Sequence, residues 1–243
     1  MFLLLSACFV VQGDGDTTSE PREVTGVTSL AANDVIDVHH VHAESASAVL
    51  ICDANLLDHI RTTVEDGELV VESEPGVSIN PRGECTLDLA APCLDSFTAT
   101  GSGDIWSDVS GCDVEAVRAT GSGDVSLAGA AGARLEAKGT GSGHIELGAL
   151  QVERLEVSFT GSGGGGASGV CGTADVELTG SGDFDGRDLS CAQAEIRTTG
   201  SGDVELTVTG HAEVTTTGSG DVDLWGGGTV DASTSGSGDV TTH

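Results

Sequence analysis

The tetrapeptide GSGD, a hydroxyl and a carboxylate set between glycines, begins at Gly101, Gly121, Gly180, Gly200, Gly218 and Gly236. Two near-copies, GSGH at Gly141 and GSGG at Gly161, extend the series. The carboxylates of Asp104, Asp124, Asp183, Asp203, Asp221 and Asp239 therefore recur at one position. Such a column is a candidate Ca2+ site, because that ion takes roughly six to eight oxygens from carboxylates and carbonyls. The spacing departs from the Ca2+-binding nonapeptide G-G-x-G-x-D-x-U-x: Asp follows the second glycine directly and comes once per 18 to 20 residues. A structural role competes with the metal role, each Asp accepting hydrogen bonds from turn N–H groups and the neighbouring Ser hydroxyl. Carboxylates stacked about 5 Å apart repel by about 1 kcal/mol per pair even in water, so something must offset them. The structural role is the preferred expectation.

Other reactive side chains assemble less readily. In HHVH (His39, His40, His42), alternate strand residues His40 and His42 would share a face, a spacing that can bind a transition metal. No Cys or paired carboxylate completes that site in sequence, and an ordinary exposed strand face is expected. No G-x-S-x-G nucleophile elbow is present. The GSG serines sit in a repeated turn, where a nucleophile would be unique. Paired acids of the glycosidase type cannot be singled out among 39 carboxylates, and only Trp106 and Trp225 could stack on a sugar. The chain reads as a non-enzyme with no catalytic residue and no cofactor, Ca2+ being the one alternative.

The elements that carry these residues follow from the repeat. Successive GSG triplets are separated by 20, 20, 20, 19, 20, 18 and 18 residues. Four residues before each first glycine stand Phe97, Val117, Ala137, Val157, Val176, Ile196, Val214 and Ala232; four after it stand Ile105, Val125, Ile145, Gly165, Phe184, Val204, Val222 and Val240. Apolar positions separated by single polar ones mean period two, and so half-buried strands. A repeat this short has no room for a crossover helix. The consistent fold is all-β, a parallel β-solenoid with one repeat of 18 to 20 residues per coil over residues 95–243. Residues 21–94, with DVIDVHHVH, SAVLICD and the hairpin signal at Asp66-Gly67, read as a mixed cap of strands and one short helical turn, Ala54–Ile60.

Register also places the cysteines. Cys171 and Cys191 lie nine residues before their glycines, so they stack on adjacent coils within disulfide range. Cys112 shares that offset and Cys93 is one position away on the preceding coil, leaving Cys52 with Cys85. Pairs Cys171–Cys191, Cys93–Cys112 and Cys52–Cys85 are expected, against the alternative of buried, reduced thiols. The remaining cysteine, Cys8, closes LSAC, which resembles a bacterial lipobox whose Cys becomes the lipidated first residue of an exported lipoprotein. Residues 1–7 then read as a truncated signal peptide with its true start upstream, and 8–20 as a flexible tether.

The net charge of −30, from 39 acids against 9 bases, argues against nucleic acid as a partner, since phosphate contacts need Lys and Arg. It equally disfavours docking on anionic lipid, so any membrane contact is expected through the lipid anchor alone. Aromatics make up 3% of the chain and glycine contributes 37 residues, about twice its usual share, which suits thin layers of small side chains.

EPREVTGV, then DANLLDHIRTTVEDGELVVES, then serial TGSGDV resemble the bacterial head GIN domain family, described as auto-transporter adhesins, over nearly all of the mature chain. The resemblance implies a right-handed β-helix-like fold, export and frequently a lipid anchor; it brings no catalytic residue and no substrate. The functional expectation is an exported envelope lipoprotein at the outer membrane or cell surface, structural or adhesin-like. The alternative is a Ca2+-dependent or polysaccharide-binding module with a cell-surface or polysaccharide partner.

Overall fold

The computed structural model describes residues 9–243, so the expected signal segment and the lipidation candidate Cys8 lie outside the described residues. From Ser96 onward each repeat supplies two limbs, and the limbs stack as parallel ladders whose register is kept on either side of each GSG corner. Phe97, Val117, Ala137, Val157, Val176, Ile196, Val214 and Ala232 form one column. Ile105, Val125, Ile145, Gly165, Phe184, Val204, Val222 and Val240 form the facing one. This is the parallel β-solenoid that the period requires. In the middle coils the strands run almost unbroken from one GSG to the next, as in Phe184–Gly200, and the second bend is made by bulges such as that between Gly186 and Ser190.

The GSG corner is built by close approach. The first glycine has φ between 117° and 138° at Gly121 through Gly236, a region that side chains avoid. Its carbonyl accepts the Ser N–H of the coil above and, at Gly101, Gly121, Gly141 and Gly218, a second N–H as well, as when Gly101 O receives Ser122 N–H at 2.8 Å and Gly123 N–H at 3.1 Å. The second glycine leaves no room for a side chain: a Cβ on Gly182 would lie 1.7 Å from the Gly163 carbonyl oxygen. Glycine here is what lets backbone stack on backbone.

Inside, size is traded between columns. The facing column loses its side chain at Gly165, and the Phe159 ring fills the gap: a Cβ on Gly165 would meet that ring at 2.8 Å, and one on Gly139 would meet it at 2.9 Å. Phe184 then packs near Phe159, ring centroids 6.3 Å apart, with Gly186 making room for it.

The amino-terminal region departs from a simple first coil. Strands Ser29–Asp34 and Asp37–His42 form a coil that is clamped between Ser96–Gly101 and Ile105–Ser107 on one side and Glu68–Ser73 and Thr86–Ala91 on the other. The chain thus lays an inner coil first, goes outward to build the end, and returns. The outer layer is antiparallel, with Thr17–Arg22 on Ser47–Asp53, Ser47–Asp53 on Thr86–Ala91, and the hairpin Ile60–Glu65/Glu68–Ser73. Asp66 and Gly67, at φ 50° and 88°, make its tip.

Two expectations are corrected here. The helical turn shrinks to a single 3-10 turn, Leu57–His59, because Ile60 is already extended (φ −109°, ψ 122°) and opens the next strand; the cap is not helical. The segment expected as a tether is ordered from Phe9. Phe9–Gln12 pairs in parallel with Val77–Asn80, and Thr17–Arg22 is a strand. Between them the buried carboxylate of Asp53 accepts the N–H groups of Gly15 at 3.1 Å and Arg82 at 2.7 Å. Gly13 is required beside it, as a Cβ there would fall 1.8 Å from Asp53 Oδ2.

The disulfides are Cys52–Cys85, Cys93–Cys112 and Cys171–Cys191, with Cα separations of 4.2, 5.4 and 4.5 Å. Cys171–Cys191 staples two paired strands, Cys52–Cys85 ties a strand to the residue before Thr86–Ala91, and Cys93–Cys112 joins two connecting segments. Closing loops of this length contributes about 3 kcal/mol apiece in the chain-entropy picture.

One buried histidine makes the fold acid-sensitive. His40 is fully enclosed, its Nδ1 2.9 Å from Ser107 Oγ and its Nε2 3.2 Å from the Pro92 carbonyl. The carbonyl can only accept, so Nε2 carries the proton and Ser107 donates to Nδ1. Burial pushes the imidazole below its ordinary pKa of 6.5, with the neighbouring carbonyls partly opposing. The unfolded chain therefore binds this proton first: the contribution is complete above pH 6.5 and is lost as pH falls below it. Thermal melts between pH 7.5 and 5 should show Tm falling with acid, and the slope should flatten in His40→Gln.

Candidate functional site

The corner carboxylates form a hydrogen-bonded ladder. Asp104 Oδ1 accepts the N–H of Asp124 at 2.7 Å, and Asp124 Oδ1 accepts that of His144 at 2.7 Å. After the break at Gly164 the pattern resumes, Asp183 to Asp203 at 2.8 Å, Asp203 to Asp221 at 2.7 Å and Asp221 to Asp239 at 2.8 Å. The acceptor was expected to serve its own turn and the adjacent serine; it serves the backbone of the next coil instead. A neutral N–H is thereby interposed at every step between carboxylates that would otherwise only repel. Among the described residues no group of three or more His, Cys, Asp or Glu side chains is placed to hold a metal.

The ladder starts one coil earlier than the repeat indicates. Asp37 Oδ1 accepts the N–H of Asp104 at 2.9 Å, and Asp34 stacks beneath Gly101. The stretch Asp34-Val35-Ile36-Asp37 is thus the first corner, with GSGD's spacing and none of its glycines. The signal available in sequence was the three-residue separation of the two aspartates. Burial raises the Asp37 pKa; the Asp104 N–H opposes this, and the charges of Asp104 and Glu84 add to it.

The outer face of the first limb carries a different charge pattern. Five of the nine bases, Arg118, Arg134, Lys138, Arg154 and Arg197, flank an acidic column of Glu136, Glu156, Asp175 and Glu195. Arg134 grips Glu156 in a fork, Nε to Oε1 at 2.9 Å and Nη2 to Oε2 at 2.5 Å, while Arg154 bridges Glu156 at 2.7 Å and Asp175 at 3.2 Å. Arg118 pairs with Glu136, and Arg197 with Glu195. The Arg134 hydrogen bonds, opposed by burial and reinforced by Arg154, hold the Glu156 carboxyl at about 2. Its stabilising contribution is complete above the ordinary value of 4.5 and is lost as pH falls toward 2. In Glu156→Gln the dependence of Tm on pH across that window should weaken.

The outer face of the second limb has few bases. One column runs Asp88, His39, Trp106, Ser126, Glu146, Gly166, Asp185, Glu205 and Asp223. The HHVH motif divides at this point. His39 lies outward and its Nε2 is 2.9 Å from Asp108 Oδ2, whereas His40 lies in the core and His42 is exposed at the strand's end. His40 and His42 have the same parity, but no shared metal pair forms: His40 is enclosed with both ring nitrogens engaged, while His42 is exposed at the last position of the strand. A groove of about 410 Å3 opens here, lined by Asp37, His39, Glu84, Thr86, Asp88, Trp106 and Asp108. Trp225, the other tryptophan, lies at the far end under Arg187, 4.6 Å from its ring centroid, and stacks with His243 at 4.7 Å.

A family model described as "Putative auto-transporter adhesin, head GIN domain" matches residues 27–228. The chain belongs to the head GIN domain family. Solved structures share the GIN fold over nearly their whole length. A "putative lipid binding protein" from Parabacteroides distasonis superposes with a TM-score of 0.90 at 22% identity, covering 96% of this chain and 99% of that one. A "putative adhesin" from the same organism gives 0.88 at 22%, covering 96% and 100%, and one from Parabacteroides merdae gives 0.89 at 20%, covering 97% and 99%. At these identities the likeness establishes the fold alone. No curated protein matches this GIN domain. Among its described residues no helix is long and apolar enough to cross a membrane.

Proposed function

We propose that this GIN domain is a non-enzymatic, adhesin-like scaffold of the bacterial envelope, exported and held at the outer membrane or cell surface through a lipid on Cys8. The observation that carries the reading is the pair of exposed sheet faces, one laced with ion pairs and one poor in bases, whose side chains stack in columns coil upon coil along a disulfide-stapled solenoid. Regular, rigid columns suit attachment to an extended partner better than they suit a reaction, which needs unlike groups converging on one atom. Three disulfides fit an oxidising compartment outside the cytosol. The family's adhesin description points the same way.

The test is paired. Cells expressing the full chain should retain more adhesion to glycan- or protein-coated surfaces than a deletion strain, and radiolabelled fatty acid should enter the protein and be lost in Cys8→Ser. Equal adhesion by the deletion strain would overturn the adhesive role; an unlabelled wild-type chain would overturn the anchor. A second reading, a polysaccharide-binding module, is favoured by the groove over Trp106.

A further inference from the structure

The two tryptophans of the fold are treated differently. Trp225 is covered by a guanidinium and an imidazole. Trp106 is 39% exposed, and among the described residues no ring or guanidinium lies over it. It points outward from the second limb in the 410 Å3 groove, opposite His39 on the neighbouring strand and Ser126 on the next. Burying an indole on that limb would have taken only a long neighbour at 126; the serine leaves its face open.

What surrounds the indole narrows the ligand. The lining supplies four carboxylates, Asp37, Glu84, Asp88 and Asp108, and no Lys or Arg. An anionic sugar or phosphate would meet uniform repulsion. A bare indole face carries negative potential and prefers a flat, weakly polarised C–H surface or a cation. The groove volume falls within the range of small-ligand sites, roughly 300–1,000 Å3. A hexose offers the flat C–H face, and a free amino group offers the charge that the carboxylates require.

We propose that the groove over Trp106 is a subsite for an amino sugar with an unacetylated, protonated amine, the ring stacking on the indole and the ammonium lying among Asp37, Asp88 and Asp108. The proposal rests on the adhesive reading and names the ligand class of that role. His39, held to Asp108 at 2.9 Å, fixes one of the carboxylates at the rim.

Isothermal titration of the full chain with a glucosamine oligomer should show binding that weakens at least tenfold in Trp106→Ala and, independently, in Asp88→Asn. Both positions are exposed, so circular dichroism should report an unchanged fold. Polygalacturonate should give no heat, and oligolysine should bind weakly and without dependence on Trp106. Absence of glucosamine binding, equal binding by Trp106→Ala, or oligolysine binding with the same Trp106 dependence would overturn the proposal. Cells carrying Trp106→Ala separate the two levels: wild-type adhesion by that variant removes the subsite and leaves the adhesin, whereas loss of adhesion in no strain removes the adhesive reading itself.

Discussion

Gly182→Ala is expected to cost the solenoid about 3 kcal/mol or more, enough to lower Tm by many degrees or to prevent folding. The added methyl would lie 1.7 Å from the Gly163 carbonyl oxygen and 2.7 Å from its carbon, and both belong to backbone that is bonded into the adjoining coil. No rotamer change relieves that overlap; the coils must separate at a corner where the Gly161 carbonyl accepts the Ser181 N–H of the coil above. The adjacent Ser181→Ala is the control, since Ser181 is exposed and should change stability by less than about 0.5 kcal/mol. Urea unfolding of the two variants measures the contrast directly.

Phe159→Ala should cost about 3–5 kcal/mol, the upper range for a buried aromatic. Its ring spans the space of two absent side chains, Gly139 below and Gly165 above, so neighbours cannot collapse into the void. The same geometry predicts a reversal of sign. Gly139→Ala alone is destabilising, because its methyl would sit 2.9 Å from the Phe159 ring. In the Phe159→Ala background that methyl has room and should recover part of the loss. A double-mutant cycle in urea tests this, with a favourable coupling of about 1 kcal/mol or more expected. Additive losses would contradict the packing described.

The repeat was legible because parallel stacking repeats its demands: apolar residues at fixed offsets, glycines where backbones touch, and cysteines brought together by register. Cys171 and Cys191 could be placed by counting alone. What could not be counted was compensation between columns. Gly165 reads as a gap until Phe159, at a different offset in the preceding limb, is seen to fill it. The cap was harder for a related reason. Its inner coil, Ser29–Asp34 and Asp37–His42, is completed on both sides by later segments, so sequence order and spatial order disagree. Asp37 was missed as the ladder's head because Asp34 takes the place of glycine at φ 70°. Composition rich in Gly, Asp and Thr signals flexibility, whereas here Gly15 donates to the buried Asp53 and Thr17–Arg22 pairs as a strand with Ser47–Asp53.

The function of the Asp column turns on a distinction that one side chain can make. Asparagine keeps the Oδ1 that accepts the next coil's N–H at 2.7 Å but loses the charge that a cation would need. The most direct measurement is therefore the Tm of wild type, Asp203→Asn and Asp203→Ala, each with millimolar Ca2+ and with EDTA. Asp203→Asn should stay close to wild type, Asp203→Ala should lose about 1 kcal/mol for the hydrogen bond to the Asp221 N–H, and Ca2+ should move none of them. A Ca2+-dependent rise in wild-type Tm that both variants abolish would show that the corners are metal sites.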